Sequence, residues 1–172
     1  MENTDGLVAK YQNLIAKIDR RVSDLEKMHH QHMNCKLGCS HCCMDYSIFP
    51  VEYYAILKNI KDSGIQPEEA PQDQCIFLKN HSCMIYTHRP VICRTHGLPL
   101  LYTNEEGEWE LSACELNFTT YQKPFHSKNS FQQDVYNSEL FMLNKTFIEL
   151  PENSSFRAMD LIPIRNFRND LG

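Results

Sequence analysis

Residues 35–43 read CKLGCSHCC, which puts four cysteines in nine positions with the last two adjacent. Cys75, Cys83, Cys93 and Cys114 bring the total to 8 in a chain of 172 residues. Thiols at this density serve as disulfide staples, as metal ligands or as redox groups. A chain of this length can bury a core of its own and does not need staples to fold. The opening stretch MENTDGLVAK has neither the basic segment nor the apolar segment of a secretion signal. No apolar run approaches the roughly 18 residues that a membrane span requires. The expectation is therefore a cytoplasmic protein without a membrane partner, in which thiols stay reduced and cysteine clusters are metal or redox sites. The formal net charge of −5, with basic residues scattered along the chain, gives no footprint for nucleic acid.

Hydrophobic spacing supplies the frame. Leu7, Tyr11, Leu14, Ile18, Val22, Leu25 and Met28 recur at steps of three and four, which predicts one long helix over residues 4–33 with Thr4 as its cap. Pro50 is placed to open a second helix with Tyr53, Ile56, Leu57 and Ile60 on one face and Gly64 as its stop. CIFLKNHSCMIY reads as a β-hairpin with a four-residue connection, Lys79 to Ser82. Pro90 starts a short helix that Gly97 ends. A second hairpin turns at Asn104–Gly107. A last helix over residues 129–149 presents Tyr136, Leu140, Leu143 and Phe147, and Pro151 terminates it. Residues 152–172 are expected to pack through Phe156, Met159, Leu161 and Ile162. The predicted fold class is α+β, a single small helical domain over residues 1–172 with short β-hairpins around a cysteine-rich centre at 35–114.

Cys35, Cys39 and Cys42 make C-x3-C-x2-C, a spacing that lets a short loop turn several sulfurs toward one point. Thiolate is the form that binds zinc or an iron–sulfur cluster. Adjacent Cys42 and Cys43 are awkward partners for one ion because neighbouring side chains diverge, so the pair points to two centres or to one cluster with a spare thiol. Eight cysteines make two sets of four, the number that a closed zinc site or a cubane cluster takes. The proposed ligands are Cys35, Cys39, Cys42, Cys43, Cys75, Cys83, Cys93 and Cys114. Arg89 and Arg94 flank Cys93, where guanidinium groups would offset the negative charge of a thiolate site. His29, His30 and His32 read as helix-terminal groups, favoured there by the dipole, rather than as ligands. His41 and His96 lie near enough to cysteines to be outer donors or replacement ligands.

Cys35-x3-Cys39-x2-Cys42-Cys43, Cys75-Ile-Phe-Leu, Cys83-Met-Ile-Tyr86 and Arg89-Pro90-x-x-Cys93-Arg94 together resemble the CxxCxxCC family, the zinc- or iron-chelating domain of YkgJ-type cysteine-cluster proteins. The resemblance covers roughly residues 35–97, and more loosely reaches Cys114. It implies metal binding through the cysteines, with Tyr86, Arg89 and Arg94 beside them, and it names no reaction. A related cluster in flagellin lysine N-methylase implies the alternative of an iron–sulfur enzyme of redox or methyl-transfer type. The C-x3-C-x2-C spacing also matches radical SAM enzymes, but His41 stands where those have an aromatic residue, and neither an alternating strand–helix run nor a SAM-binding glycine motif is present. Partner, substrate and oligomeric state are not legible in the residues.

Overall fold

The fold is set by one helix and by what its apolar stripe attracts. The computed structural model describes residues 3–36 and 38–171; Met1, Glu2, Leu37 and Gly172, which the sequence reading included, lie outside the described residues. Helix α1 spans Thr4–His29 and buries Leu7, Tyr11, Leu14, Ile18, Val22 and Leu25 on one face. Each such side chain contributes roughly 1.5–3 kcal/mol when fully buried. Asn3, rather than Thr4, caps the helix, with Oδ1 accepting from Gly6 N at 2.9 Å. The stripe does not run on through Met28, which is 53% exposed. His29 is buried in its place among Phe118, Tyr121 and Phe125. The chain then tightens into a 3-10 turn, His30–His32, so the helix ends earlier than the pattern predicts.

Helix α2, Pro50–Ile60, opens on its proline as expected. It separates two apolar clusters. Val51 and Ala55 join the stripe of α1, together with Phe131, Leu140 and Phe147. Tyr53, Ile56 and Ile60 face the second cluster, with Ile76, Phe77, Ile85, Ile164 and Phe167. Cys75, Cys83 and Cys93 pack on the edge of that second cluster. The mixed α+β reading is correct: among the described residues, five α-helices accompany small sheets.

Strand β1 (Ser47–Ile48) pairs antiparallel with β7 (Ile162–Pro163). Strands β2 (Leu78–Lys79) and β3 (Ser82–Cys83) form the first hairpin, with Leu78 opposite Cys83. Its connection is two residues, not four. Asn80 and His81 both take positive φ, 49° and 58°, the left-handed pair that a tight hairpin needs. Strands β4 (Leu100–Thr103) and β5 (Trp109–Ser112) form the second hairpin. A short strand β6 (Phe131–Gln132) adds parallel to β4, which the sequence reading assigned to helix. Helix α4 consequently begins at Gln133 and ends at Ile148. Its Asn144 is buried and accepts from Val51 N, fixing α4 to the start of α2. Past α4, the tail packs through Ile164 and Phe167 of the last turn and of α5 (Phe167–Leu171). Met159 and Leu161 are 74% and 50% exposed, against expectation, because the buried positions are taken by the β1–β7 pairing and by Phe167 stacked on Tyr53.

Helix α3, Val91–Thr95, carries Cys93 and is fastened by one buried carboxylate. Glu52 is 3% exposed; it accepts from Val91 N at 3.0 Å, from Tyr11 Oη and from Phe49 N, joining α1, α2 and α3. Burial pushes its pKa up to about 7, against the pull of those donors. The folded chain thus favours the neutral carboxyl. That contribution is full below the unfolded value near 4.5 and is lost as pH rises through about 7. Glu52→Gln is expected to remove up to roughly 3 kcal/mol of the fall in unfolding free energy between pH 5 and pH 8. Denaturant unfolding of both proteins across that range tests it, and parallel pH profiles would contradict it.

Candidate metal centre

All eight cysteines are free thiols. They reach the centre from four places: the loop after α1 and its 3-10 turn (Cys35, Cys39, Cys42, Cys43), the hairpin β2–β3 and the residues before it (Cys75, Cys83), α3 (Cys93) and the segment after β5 (Cys114). The loop is tied to the hairpin region through the backbone. Cys75 N donates to Cys43 O at 3.2 Å, Met44 bridges Gln74, and Asp45 N donates to Asp73 O. Ser40 Oγ meets His81 Nδ1 at 2.8 Å, so the hairpin turn also holds the loop.

The charges show which thiols are neighbours. Cys93 is raised by burial first and then by Cys75 and Cys83, with Arg89 opposing. Cys75 is pushed up to about 11 by burial, with Cys83 and Asp45 adding and the Phe77 backbone opposing. Cys35 is raised by burial, while Cys114, Cys39 and Cys42 add to the rise and Asn117 opposes it. Cys42 and Cys43 are not alike. An S–H···S contact between them pulls Cys42 down and raises Cys43, with burial adding to the rise of Cys43. Beyond that contact, Cys43 feels Cys75 and Cys83, and Cys42 is felt by Cys35.

The thiols gather without closing. Among the described residues, no three His, Cys, Asp or Glu side chains converge tightly enough to hold one ion. The donor set itself suits a soft or borderline metal, since thiolates bind zinc and iron–sulfur clusters alike. A second observation shows that one thiol is built in. Gly97 sits at φ +91°, and a Cβ there would stand 2.6 Å from Cys35 Sγ. The sulfur fills the space that the glycine leaves. Asn117, 4% exposed, donates from Nδ2 to Cys35 Sγ at 3.2 Å and to Gly97 O at 2.7 Å, and accepts from Asn34 N at 2.7 Å. One amide therefore fixes the sulfur, the glycine and the start of the cysteine loop.

Of the two arginines, Arg89 faces the thiols. Its charge lowers Cys42, Cys83 and Cys93, its Nη1 donates to Cys93 O, and its guanidinium lies 3.7 Å from the centre of the Tyr86 ring. Tyr86 is exposed and acts here as the platform for Arg89. Arg94 is turned the other way. It is 7% exposed, forks onto both oxygens of Asp19 in α1 at 2.7 and 2.8 Å, and donates to Arg89 O and Thr87 O. A buried guanidinium needs a carboxylate, and Asp19 rather than sulfur supplies it.

Several histidines have partners other than sulfur, while His41 lies near enough for its charge to lower Cys42. His29 is held by Asn129 O at 2.7 Å, His30 sits over Lys27 O, His41 is exposed beside Glu115, and His96 lies against the Tyr46 ring. His32 Nδ1 and His96 Nε2 are buried without a hydrogen-bond partner. Tyr46 links His96 to the centre: burial raises it to about 12, with Cys42, Cys93, Cys43 and Cys75 adding.

Residues 34–115 match the CxxCxxCC family model, whose description is "Putative zinc- or iron-chelating domain". This segment resembles a CxxCxxCC domain. No curated protein and no solved structure matches the chain. The matched segment contains all eight cysteines, which supports metal binding of the zinc- or iron-chelating kind. Asn117 falls just beyond it, and α1 and α4 embrace it from outside. No helix among the described residues is long and apolar enough to cross a membrane.

Gly97 and Asn117 are the site residues that sequence reasoning missed. Gly97 was read only as the end of a helix. Asn117 has no local pattern at all, because its partners are 82 and 20 residues away. Gly97→Ala is expected to displace Cys35 and strain the left-handed backbone, at a cost of roughly 1–2 kcal/mol from the backbone alone. Metal bound per chain should fall with it. Thermal melting together with metal analysis tests this, and unchanged values for both would mean that Cys35 has room to spare.

Proposed function

We propose that the eight thiols hold metal in two four-cysteine sites, with Cys35, Cys39, Cys42 and Cys114 in one and Cys43, Cys75, Cys83 and Cys93 in the other. The domain would act as a metal-binding module in a reducing, cytoplasmic compartment. The supporting observation is the division of the charges. Cys35 is raised by Cys114, Cys39 and Cys42, and Cys93 and Cys43 by Cys75 and Cys83, while the contact of Cys42 with Cys43 joins the two sets. Four thiolates are what a closed zinc site or a cubane cluster takes. Arg89 stands where positive charge would offset an anionic site, and Asn117 donates to sulfur from outside. Bound zinc would supply a redox-silent crosslink between the loop, the hairpin and α3, whereas an iron–sulfur cluster would supply electron transfer. In either case the residues of this chain orient sulfur and offset its charge.

Paired serine substitutions test the division. Cys42→Ser and Cys43→Ser are each expected to lose the metal of one site and keep the other. Adding Cys35→Ser to Cys42→Ser should change little further, since both belong to one set. Adding Cys75→Ser to Cys42→Ser should empty both. Complete loss of metal from each single variant would instead indicate one indivisible cluster. Iron with acid-labile sulfide in the wild-type protein would move the reading toward the redox or methyl-transfer alternative.

A further inference from the structure

Beside α3, a cavity of about 740 Å³ opens between α2, α3 and α4. That volume lies within the roughly 300–1,000 Å³ that small-molecule sites occupy. Val91, Ile92, Thr95 and His96 form one wall, so the same short helix presents Cys93 to the centre and these residues to the cavity. The other walls are largely apolar and carry three aromatic rings, Phe49, Phe131 and Phe141, of which Phe49 and Phe141 meet edge to face at 6.1 Å. At its lip stand Ile92, Met142 and Leu161, which are 39%, 57% and 50% exposed. Large apolar side chains left in water around the mouth of a cavity mark a binding surface.

Charge narrows the occupant. The ionisable groups in the lining are Glu52, Asp134 and His96, with no lysine or arginine among them. Glu52 is almost wholly buried. An anionic group brought into this cavity would lose its hydration, meet the Asp134 carboxylate and find no fixed cation to pair with. A neutral or positively charged aromatic molecule meets none of these costs, and its rings would stack or cross against the phenylalanines. Ser138 and Asn137 of α4 offer polar contacts.

We propose that this cavity is a binding site for an aromatic small molecule that carries no negative charge, placed wall to wall with the cysteine centre through α3. The site is independent of which metal the thiols hold.

The test is a titration of the full chain as purified with two dyes, neutral Nile red and anionic anilinonaphthalene sulfonate, followed by fluorescence. Nile red is expected to saturate at one site per chain and to bind at least about tenfold more tightly than the sulfonate. Ser138→Trp, on the exposed side of α4, should fill the cavity and weaken Nile red by at least about tenfold. Asn137→Lys should strengthen the sulfonate by supplying the missing cation. Nile red binding that does not saturate, or that Ser138→Trp leaves unchanged while the variant melts like wild type, overturns the site. Sulfonate binding as tight as Nile red, or unaltered by Asn137→Lys, overturns the charge selection. Metal content and uptake measured on the same samples separate this result from the metal reading: protein that neither carries nor takes up metal and still selects Nile red keeps the cavity proposal and defeats the other.

Discussion

Protein stripped of metal by a chelator under reducing conditions is expected to melt about 10 °C or more below the metal-loaded protein. The expectation comes from how little else holds the centre. The loop at 35–46 is attached by a few backbone hydrogen bonds, one isolated bridge, the contact of Ser40 with His81, the Asn117 amide at Cys35 and the pairing of Asp45 with Arg165. Its cysteines are exposed or half-buried, and only Cys75, Cys83 and Cys93 lean on an apolar cluster. Metal binding in such a segment is folding free energy. The α1–α4 side has its own core and should keep its helical signal while the centre loosens. Identical melting of stripped and loaded protein would leave the metal without a structural role.

Arg94→Gln is expected to cost roughly 3 kcal/mol in stability, at the lower end of breaking a buried ion pair because Asp19 keeps partial access to water. The arginine side chain is 6% exposed and that of Asp19 is 47% exposed. The loss also strips donors from Thr87 O and Arg89 O, which hold the chain between the hairpin and α3. Bound metal per folded chain should not change. Arg89→Gln should show the opposite pattern, with near-normal melting and metal retention weakened on the order of 10- to 100-fold. Chelator competition and thermal melting on the two variants separate the roles. Loss of metal from folded Arg94→Gln would return that arginine to the centre.

Much of the frame was legible because its physics is local. The stripe from Leu7 to Leu25, the proline that opens α2 and the two hairpins follow from spacing and turn chemistry within a few residues. The cysteine cluster was legible because thiol density in a chain that can bury its own core has few uses. What escaped depends on partners far along the chain. Phe131 and Gln132 look like the start of a helix until β4 pairs with them. Arg94 looks like a partner of Cys93 by adjacency, yet its carboxylate comes from 75 residues earlier. His29 replaces Met28 on the buried face because three aromatic residues from 118–125 enclose it. Asn117 reaches Cys35 only after the segment beyond β5 folds back, with Phe118 N donating to His32 O.

Direct analysis of metal and acid-labile sulfide in the full chain, purified under reducing conditions without oxygen or chelator, bears most directly on the central claim. Two four-thiolate sites predict about two zinc ions per chain without sulfide, or iron with matching sulfide in brown protein. A folded chain that carries neither, and takes up neither when zinc or iron and sulfide are supplied, would contradict metal binding by these cysteines.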